Sequence, residues 1–305
     1  MAEFNPEIVE NGASTITEEP NLGLTHTQQE PSNGSIHGLS EQEETDPNRI
    51  EVTIANPTIP VVVLYGPAQC GKTMTLIRIT RWLKDKGYRV EPLRNFRPAH
   101  DKHYQKMCDD FNLMVTQSDA QDSTGYISFM LVQVSDSVGT PICQILEAPG
   151  EYYFDKGAPK AQYPRYVQQI IHGPNRKIWC IMIEPNWADS SDRLNYVEKI
   201  RVLKTQMSPR DKTIFVYNKI DLTGFVISVG NINNKAAYND AEYNYPGIYT
   251  PFRKQGIFGQ SDAFKFVPFQ TGVYNMASDG GKIFIPGHDN YPKQLWDTIL
   301  KYTKG

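Results

Sequence analysis

The chain has 305 residues, of which 39% are hydrophobic and 21% charged, so collagen-like, coiled-coil and wholly disordered proteins are excluded. Residues 1–50 contain ten of the 34 acidic residues and one base, Arg49, so the formal charge of -3 divides into -9 there and +6 in the remainder. A mildly basic body suits an anionic ligand such as a phosphate, but its charge is too dilute to predict nucleic-acid binding.

Cysteine usage and hydropathy predict the compartment. The four cysteines are widely spaced and form no C-x-x-C pair, so neither a disulfide framework nor a zinc site is predicted. The N-terminus MAEFNPEIVE lacks a basic start followed by an apolar stretch, and no run approaches eighteen apolar residues. We therefore expect a cytoplasmic protein with no membrane partner.

The first predicted segment is a tail at residues 1–52, rich in Glu, Asn, Ser, Thr and Gly and poor in aromatic residues. Such a composition buries too little apolar surface to offset the entropy lost on ordering, which predicts disorder. Residues 53–305 are predicted to form a single domain.

Short apolar runs alternate with helical patterns along the rest of the chain. Fully apolar rather than alternating runs predict strands buried on both faces, and hence an α/β fold with a mostly parallel sheet. The predicted strands cover residues 61–65, 126–134, 141–147, 177–185, 213–218 and 264–269, and the predicted helices cover 71–86, 165–172, 191–206 and 292–302.

Two stretches do not fit this alternation. They cover about 88–123 and about 223–262, and the second is rich in Asn, Tyr and Gly. Long connections inside a domain usually serve function. We interpret both as insertions near the site.

The segment GPAQCGKT follows the apolar run VVVLY directly and matches the pattern G-x-x-x-x-G-K-[ST] of a phosphate-binding loop, or Walker A motif. Its glycines let backbone N–H groups surround phosphate oxygens, and the helix that begins there adds the positive end of its dipole. Lys72 would reach the terminal phosphates, and the Thr73 hydroxyl would bind Mg²⁺. The predicted phosphate-binding residues are Gly66, Pro67, Ala68, Gln69, Cys70, Gly71, Lys72, Thr73 and Met74.

A second motif, NKID at residues 218–221, follows the apolar run TIFVY. Asp221 can accept hydrogen bonds from the ring N–H and the exocyclic amine of guanine together, a pairing that adenine does not offer. The motif resembles the N-K-x-D guanine-reading motif of Ras-like GTPases. The resemblance implies that Asn218 braces the loop and contacts the base edge, while the Lys219 stem lies over the ring.

Between these two motifs lies LEAPGE, where Ras-like GTPases carry D-x-x-G. The resemblance implies that Glu147 holds Mg²⁺ through water and that the Gly150 N–H senses the γ-phosphate. Glu147 is one methylene longer than the family's Asp. Glu151 stands where many members carry the glutamine that orients the attacking water.

Two further family elements have approximate matches. Thr124 has the spacing of the switch threonine that closes on Mg²⁺, with Thr116 as the competing choice. Gln270 and Thr271 stand where the family carries a loop that contacts guanine through backbone N–H groups. Arg94 and Arg97, in the first insertion, are candidates for an internal arginine finger, although solvated surface roles are the more ordinary interpretation.

The resemblance covers about residues 58–305 and implies a three-layer α/β sandwich with a mostly parallel six-stranded sheet and helices on both faces. The predicted function is a switch that binds GTP or GDP with Mg²⁺ and hydrolyses GTP slowly, with Lys72, Gly150 and Glu151 as catalytic residues. A protein partner would contact the switch segments and insertions. The alternatives are a nucleotide-binding scaffold without turnover, and an ATPase or kinase in which NKID is coincidental.

Overall fold

The structure is a computed structural model that describes residues 39–116, 129–256, 259–276 and 282–304. Within these ranges the helices and strands are, in chain order, α1 Glu41–Thr45, β1 Val61–Tyr65, α2 Lys72–Asp85, β2 Arg89–Pro92, α3 Lys102–Thr116, β3 Met130–Ser135, β4 Pro141–Glu147, α4 Arg165–His172, β5 Lys177–Ile183, α5 Ser190–Gln206, β6 Lys212–Tyr217, β7 Val226–Ser228, β8 Asn231–Ile232, α6 Asn234–Asn244, β9 Arg253–Gly256, β10 Gly259–Asp262, β11 Lys265–Pro268, β12 Gly272–Met276, β13 Lys282–Pro286 and α7 Asn290–Thr303.

A seven-stranded sheet with the order β11-β6-β5-β1-β4-β3-β2 organises the fold. Strands β11, β6, β5, β1 and β4 are parallel, and β3 and β2 extend the sheet through antiparallel pairing. Every residue of β1 and of β5 is buried, as the fully apolar runs predicted.

Helices cover both faces of this sheet. From β1 the chain crosses to the edge strand β2, and it then returns in the opposite direction through β3 and β4 to β5, β6 and β11. Since such crossovers are right-handed, α2 lies on one face and α4, α5 and α6 lie on the other. Helix α7 joins α2, which it contacts. The predicted α/β fold is therefore confirmed.

The six predicted strands all lie in this sheet, and a seventh, β2, joins its edge. Only Val90 of the four residues of β2 is buried, so the sequence carries almost no apolar signal for this strand. The first predicted insertion thus contributes β2 and the amphipathic helix α3, and the second contributes the hairpin β7–β8, helix α6 and the hairpin β9–β10.

Part of the stretch that composition assigns to the tail packs on the domain. Helix α1 begins with a capping box formed by Ser40 and Glu43, and Leu39 and Ile50 are buried. Glu43 forms an ion pair of 2.7 Å with the buried Arg97. These contacts involve only two apolar side chains and one acid. In a segment rich in acidic residues, so few contacting residues leave no sequence pattern that predicts packing. The predicted disorder of residues 1–38 lies outside the described residues.

None of the helices within the described ranges is both long enough and apolar enough to cross a bilayer.

Candidate nucleotide-binding site

The predicted motifs meet at the carboxyl edge of the parallel strands. Strand β1 lies between β4 and β5. The connection that follows β1 runs towards β2, whereas the connection that follows β4 runs the other way, to β5, so the strand order reverses here. Ligands of open α/β sheets bind outside the strand ends at such a switch point. The segments that follow β1, β4, β5, β6 and β11 there are residues 66–73, 148–151, 184–188, 218–221 and 269–271.

The phosphate-binding loop has the backbone shape that its glycines predict. Gly71 has φ of 86° and immediately precedes α2, and Gln69 also has positive φ, 65°. A Cβ on Gly66 would lie 2.6 Å from the Cys70 Sγ and 2.9 Å from the Met182 Cβ, so the first position of the motif accepts glycine alone.

Lys72 and Thr73 begin α2 and face the loop and β4, respectively. The Lys72 side chain is buried, and its Nζ donates to the Pro67 carbonyl oxygen at 2.9 Å. The Thr73 hydroxyl donates to the Glu147 Oε1 at 3.1 Å. Met74, the last predicted loop residue, packs against the hydrophobic core. Lys72 is thus hydrogen-bonded to the loop itself, and Thr73 is hydrogen-bonded to the acid that ends β4.

Glu147 ends β4 and is almost fully buried, with an exposed fraction of 2%. Burial raises the pKa of its carboxyl to about 8, against the lowering effects of Lys72 and of the Thr73 hydrogen bond. Among the described residues, no partner donates to its Oε2. A buried carboxyl oxygen without a protein partner is suited to bind a cation or a donor.

These oxygens fit Mg²⁺, which prefers hard oxygen ligands and keeps several waters. The Thr73 hydroxyl and the Glu147 carboxyl are adjacent, and one carboxyl oxygen is available. The described residues contain no cluster of three or more His, Cys, Asp or Glu that would suit a protein-only metal cage. Of the three predicted ligands, Thr73 and Glu147 lie together and would hold the ion, and Thr124 lies outside the described residues.

Gly150 rests on the phosphate-binding loop. A Cβ at this position would lie 2.2 Å from the Ala68 nitrogen and 2.5 Å from the Pro67 carbonyl oxygen, so the backbones touch. Gly150 begins a single turn of 3-10 helix, Gly150–Tyr152, in which Glu151 is half-buried. The segment predicted to sense the terminal phosphate thus contacts the loop predicted to hold it.

A cleft of about 410 Å³ opens beside this contact. Glu151 lines it together with loop residues Ala68 and Gln69, which are exposed, and with Trp187, which follows β5. Glu151 and the phosphate-binding loop therefore line the same solvent-filled cleft.

The base-reading motif is bonded to the phosphate-binding loop. Asn218 is buried, and its Nδ2 donates to the Cys70 carbonyl oxygen at 3.0 Å, which links residues 148 positions apart. A Cβ on Gly71 would lie 2.2 Å from this Nδ2, so the second glycine of the loop makes room for the asparagine. The Asn218 Oδ1 has no partner among the described residues and is a buried acceptor at the site.

Asp221, Gln270 and Thr271 lie at the adjoining strand ends. Asp221 is exposed, within a short 3-10 turn that follows β6. The Ile220 N–H donates to the Phe269 carbonyl oxygen at 3.2 Å, which brings the segment after β11 beside the motif. Gln270 and Thr271 are half-buried there. The structure therefore brings the predicted base-contacting residues to one edge.

The other predicted residues do not join this group. Thr124 lies outside the described residues, and Thr116 is the last residue of α3. Arg94 is exposed and pairs with Asp109, while Arg97 is buried between Glu43 and Asp101. Neither arginine points to the phosphate-binding loop through any described contact, so the arginine-finger hypothesis gains no support.

Two residues at the site were missed by sequence reasoning. Glu184 follows β5, is buried, and forms an ion pair with Lys219. Arg78 on α2 donates to the Gly287 carbonyl oxygen at 2.6 Å and to Asp289 at 2.9 Å, which braces the loop before α7. The acid that ends the run KIWCIMIE was a usable signal for Glu184, whereas Arg78 had none.

Comparison with models of protein families gave no match, and comparison with curated proteins gave none. Similar solved structures include a protein described as nucleolar GTP-binding protein 1 from Plasmodium falciparum, with 14% identity over 82% of this chain and 89% of that one, and a TM-score of 0.39. The GTPase-like domain of S. cerevisiae Ski7 bound to GTP has 14% identity over 88% of this chain and 53% of that one, and a TM-score of 0.42. Methanosarcina barkeri Roco2 bound to GDP has 10% identity over 83% of this chain and 52% of that one, and a TM-score of 0.32. These likenesses are distant, so the function is inferred from the site's own geometry.

Proposed function

We propose that the protein binds GTP and GDP with Mg²⁺ and hydrolyses GTP slowly as a conformational switch. The observation that carries this proposal is the hydrogen bond from Asn218 to the Cys70 carbonyl oxygen. It joins a guanine-reading pattern to a phosphate-binding pattern from a distant part of the chain. Both ends of a nucleotide would then be recognised along one edge of the sheet.

The phosphate end is served by the loop and by Lys72. The N-terminus of α2 and the loop N–H groups offer positive partial charge to an anion. The Lys72 Nζ, which donates to the Pro67 carbonyl oxygen, carries a full charge into the same region. Burial strengthens its interaction with a bound phosphate because little water screens it.

Thr73 and Glu147 would hold Mg²⁺, which supplies charge neutralisation on the β- and γ-phosphates. For this role, Thr73 would turn its hydroxyl oxygen from the Glu147 carboxyl to the ion. Glu147 would lose its proton as it gains a cationic neighbour, because a positive charge favours the carboxylate form.

The base end is served by Asn218 and Asp221. The Asp221 carboxylate would accept two hydrogen bonds from guanine, which adenine does not donate in that geometry. Asn218 holds the loop under the base through its bonds to the Ile183 and Cys70 carbonyl oxygens. Gln270 and Thr271 would contact the base from the neighbouring strand end.

Hydrolysis and switching would centre on the segment that begins at Gly150. Its backbone lies against Pro67 and Ala68, within reach of a terminal phosphate bound by the loop. Glu151 would orient the attacking water from the cleft beside Gln69. Loss of the γ-phosphate would release this segment and change the surface offered to a protein partner.

Calorimetric titration of nucleotide-free protein with GDP, GTP and ATP in Mg²⁺ tests the proposal. The wild-type protein is expected to bind GDP and GTP and to bind ATP at least about a hundredfold more weakly, because Asp221 discriminates the base. Asp221→Asn is expected to remove this preference, since its amide no longer accepts two hydrogen bonds from guanine.

The matched control is Asp262→Asn, a change on the exposed hairpin β9–β10 away from the strand ends. It should leave all three affinities unchanged. Equal binding of ATP and GTP by the wild-type protein, unaffected by Asp221→Asn, would contradict guanine recognition and favour the ATPase or kinase alternative.

The burial of Glu147 favours a second candidate, a guanine-nucleotide-binding scaffold without turnover. A carboxyl whose pKa is raised to about 8 holds its proton at neutral pH, which weakens a cation site. Single-turnover hydrolysis of bound GTP distinguishes the two. Release of phosphate faster than from free GTP supports the switch, and stable bound GTP supports the scaffold.

A further inference from the structure

Glu184 is a buried acid that neither sequence motif includes. It follows the last residue of β5, and its side chain is 7% exposed. Its Oε2 lies 2.5 Å from the Lys219 Nζ. An acid in this position is costly to bury unless a cation stays beside it. Glu184 and Lys219 therefore depend on each other.

Lys219 is held in a strained backbone conformation beside the loop. It has φ of 54° and ψ of 37°, a left-handed conformation that costs a non-glycine residue free energy. Its Nζ also lies 3.5 Å from the carbonyl oxygen of Gln69 in the phosphate-binding loop. The ion pair thus fixes the lysine in the narrow space between the strand ends and the loop.

The second insertion reaches Glu184 from the other side. Tyr245, the residue that follows α6, is fully buried, and its hydroxyl donates to the Glu184 carbonyl oxygen at 2.8 Å. The Glu184 N–H in turn donates to the same hydroxyl at 3.4 Å. The Tyr245 ring packs edge-on against Tyr196 of α5. The backbone of Glu184 is therefore held independently of its side chain.

We infer that Glu184 is a positioning residue for guanine-nucleotide binding: held by Tyr245, it sets the Lys219 side chain along the face that the base would occupy. This inference rests on the proposed function. It assigns the insertion at 223–262 a role at the site, through the two hydrogen bonds between Tyr245 and Glu184.

Removal of the Glu184 charge has a specific consequence. Lys219 is 37% exposed, so without its partner the ammonium would turn to solvent and the stem would leave the base-facing position. Because the contact lies at the base end, the loss should be the same for GDP and GTP. A change that affects contacts with the γ-phosphate would instead discriminate between them.

The test is a double-mutant cycle on the affinities for GDP and GTP, with Glu184→Gln, Lys219→Met and the double variant in the full chain. Glu184→Gln is expected to lower both affinities by the same factor, about tenfold. The double variant should bind no more weakly than Lys219→Met alone, because Glu184 acts only through the lysine. Glu198→Gln, an exposed acid on α5, is the matched control and should bind like wild type.

Thermal unfolding of each variant separates positioning from folding. If Glu184→Gln does not fold, Tyr245→Phe carries the test, since it removes the hydroxyl that holds Glu184 but keeps the ring, and should lower both affinities by about threefold. Wild-type affinity in a folded Glu184→Gln variant, or independent losses that multiply in the double variant, would overturn the inference. A wild-type protein that binds no guanine nucleotide would instead overturn the proposed function.

Discussion

At the scale of single residues, Glu147 is the least ordinary group of the site. It is an acid at the end of a strand whose last five residues are buried, with one oxygen bonded to Thr73 and the other without a partner among the described residues. Because burial raises its pKa to about 8, against an ordinary 4.5, its protonation differs between the folded and unfolded chain. Stability must therefore depend on pH through this residue.

We predict the sign of that dependence for protein without Mg²⁺. Between pH about 4.5 and about 8 the folded chain holds a proton on Glu147 that the unfolded chain releases. The contribution of Glu147 to stability is therefore fully present below pH 4.5 and is lost as the pH rises to about 8, with a slope of at most about 1.4 kcal/mol per pH unit.

Urea unfolding of wild type and Glu147→Gln across this range, in the presence of a chelator, measures the effect. The variant does not titrate at this position, so the difference in unfolding free energy between the two proteins should shift in favour of the variant as the pH rises. Parallel curves for the two proteins would show that Glu147 ionises normally.

At the scale of elements, the proposed switch would place its movement in the turn after β4. Gly150 packs on the Pro67–Ala68 backbone without a side chain between them. The Tyr153 ring after this turn packs at a tilt of 39° against Tyr65 of β1, with centroids 4.9 Å apart. Because this aromatic contact anchors the far end of the turn, the proposed movement would be confined to Gly150–Tyr152.

Gly150→Ala tests this arrangement. The added Cβ would lie within 2.5 Å of three loop backbone atoms, so the turn must leave the loop. We expect single-turnover hydrolysis of GTP to fall by about tenfold or more, since the turn no longer aligns with the terminal phosphate. GDP affinity should change less than about threefold, because the displaced turn faces the γ-phosphate.

Gly224→Ala serves as the control, since a Cβ there meets no atom within 4 Å. It should leave hydrolysis unchanged. Equal hydrolysis by Gly150→Ala and wild type would mean that this contact has no part in turnover.

At the scale of the whole molecule, Arg97 links the first insertion to the chain before β1. Its Nη2 binds Glu43 of α1, its Nε binds Asp101, and its Nη1 donates to the Glu51 carbonyl oxygen at 2.8 Å. The guanidinium also lies over the Phe129 ring, 5.5 Å from its centroid. Arg97 thereby holds the chain before β1 against the first insertion, a role in stability rather than catalysis.

Arg97→Gln is expected to lower the free energy of unfolding by about 3 kcal/mol, because it leaves two mostly buried carboxylates without their cation. Arg94→Gln breaks an exposed pair and should cost less than about 0.5 kcal/mol. Urea unfolding measures both. Hydrolysis per folded molecule should be unchanged in either variant, and a large loss of turnover in Arg97→Gln at unchanged stability would restore the arginine-finger hypothesis.

Much of this architecture could be predicted from local sequence patterns. The bounds of β1, β4 and α4 match their apolar or amphipathic patterns, because each element buries its own repeat of side chains. The strand β2 and the contacts of Leu39 and Ile50 could not be predicted, since each depends on a single buried apolar residue whose neighbours are polar.

By itself, the sequence determined the α/β class, the order of six strands and four helices, and the positions of the phosphate-binding and N-K-x-D patterns. These follow from periodicity and from short motifs whose residues are close in the chain. Only the tertiary structure decided that Asn218 bonds to Cys70, that Lys219 pairs with Glu184, and that Arg97 holds Glu43. The physical reason is that a polar side chain takes its partner from whichever strand end or segment lies beside it. The order of strands in the sheet sets those neighbours, and no local pattern records it.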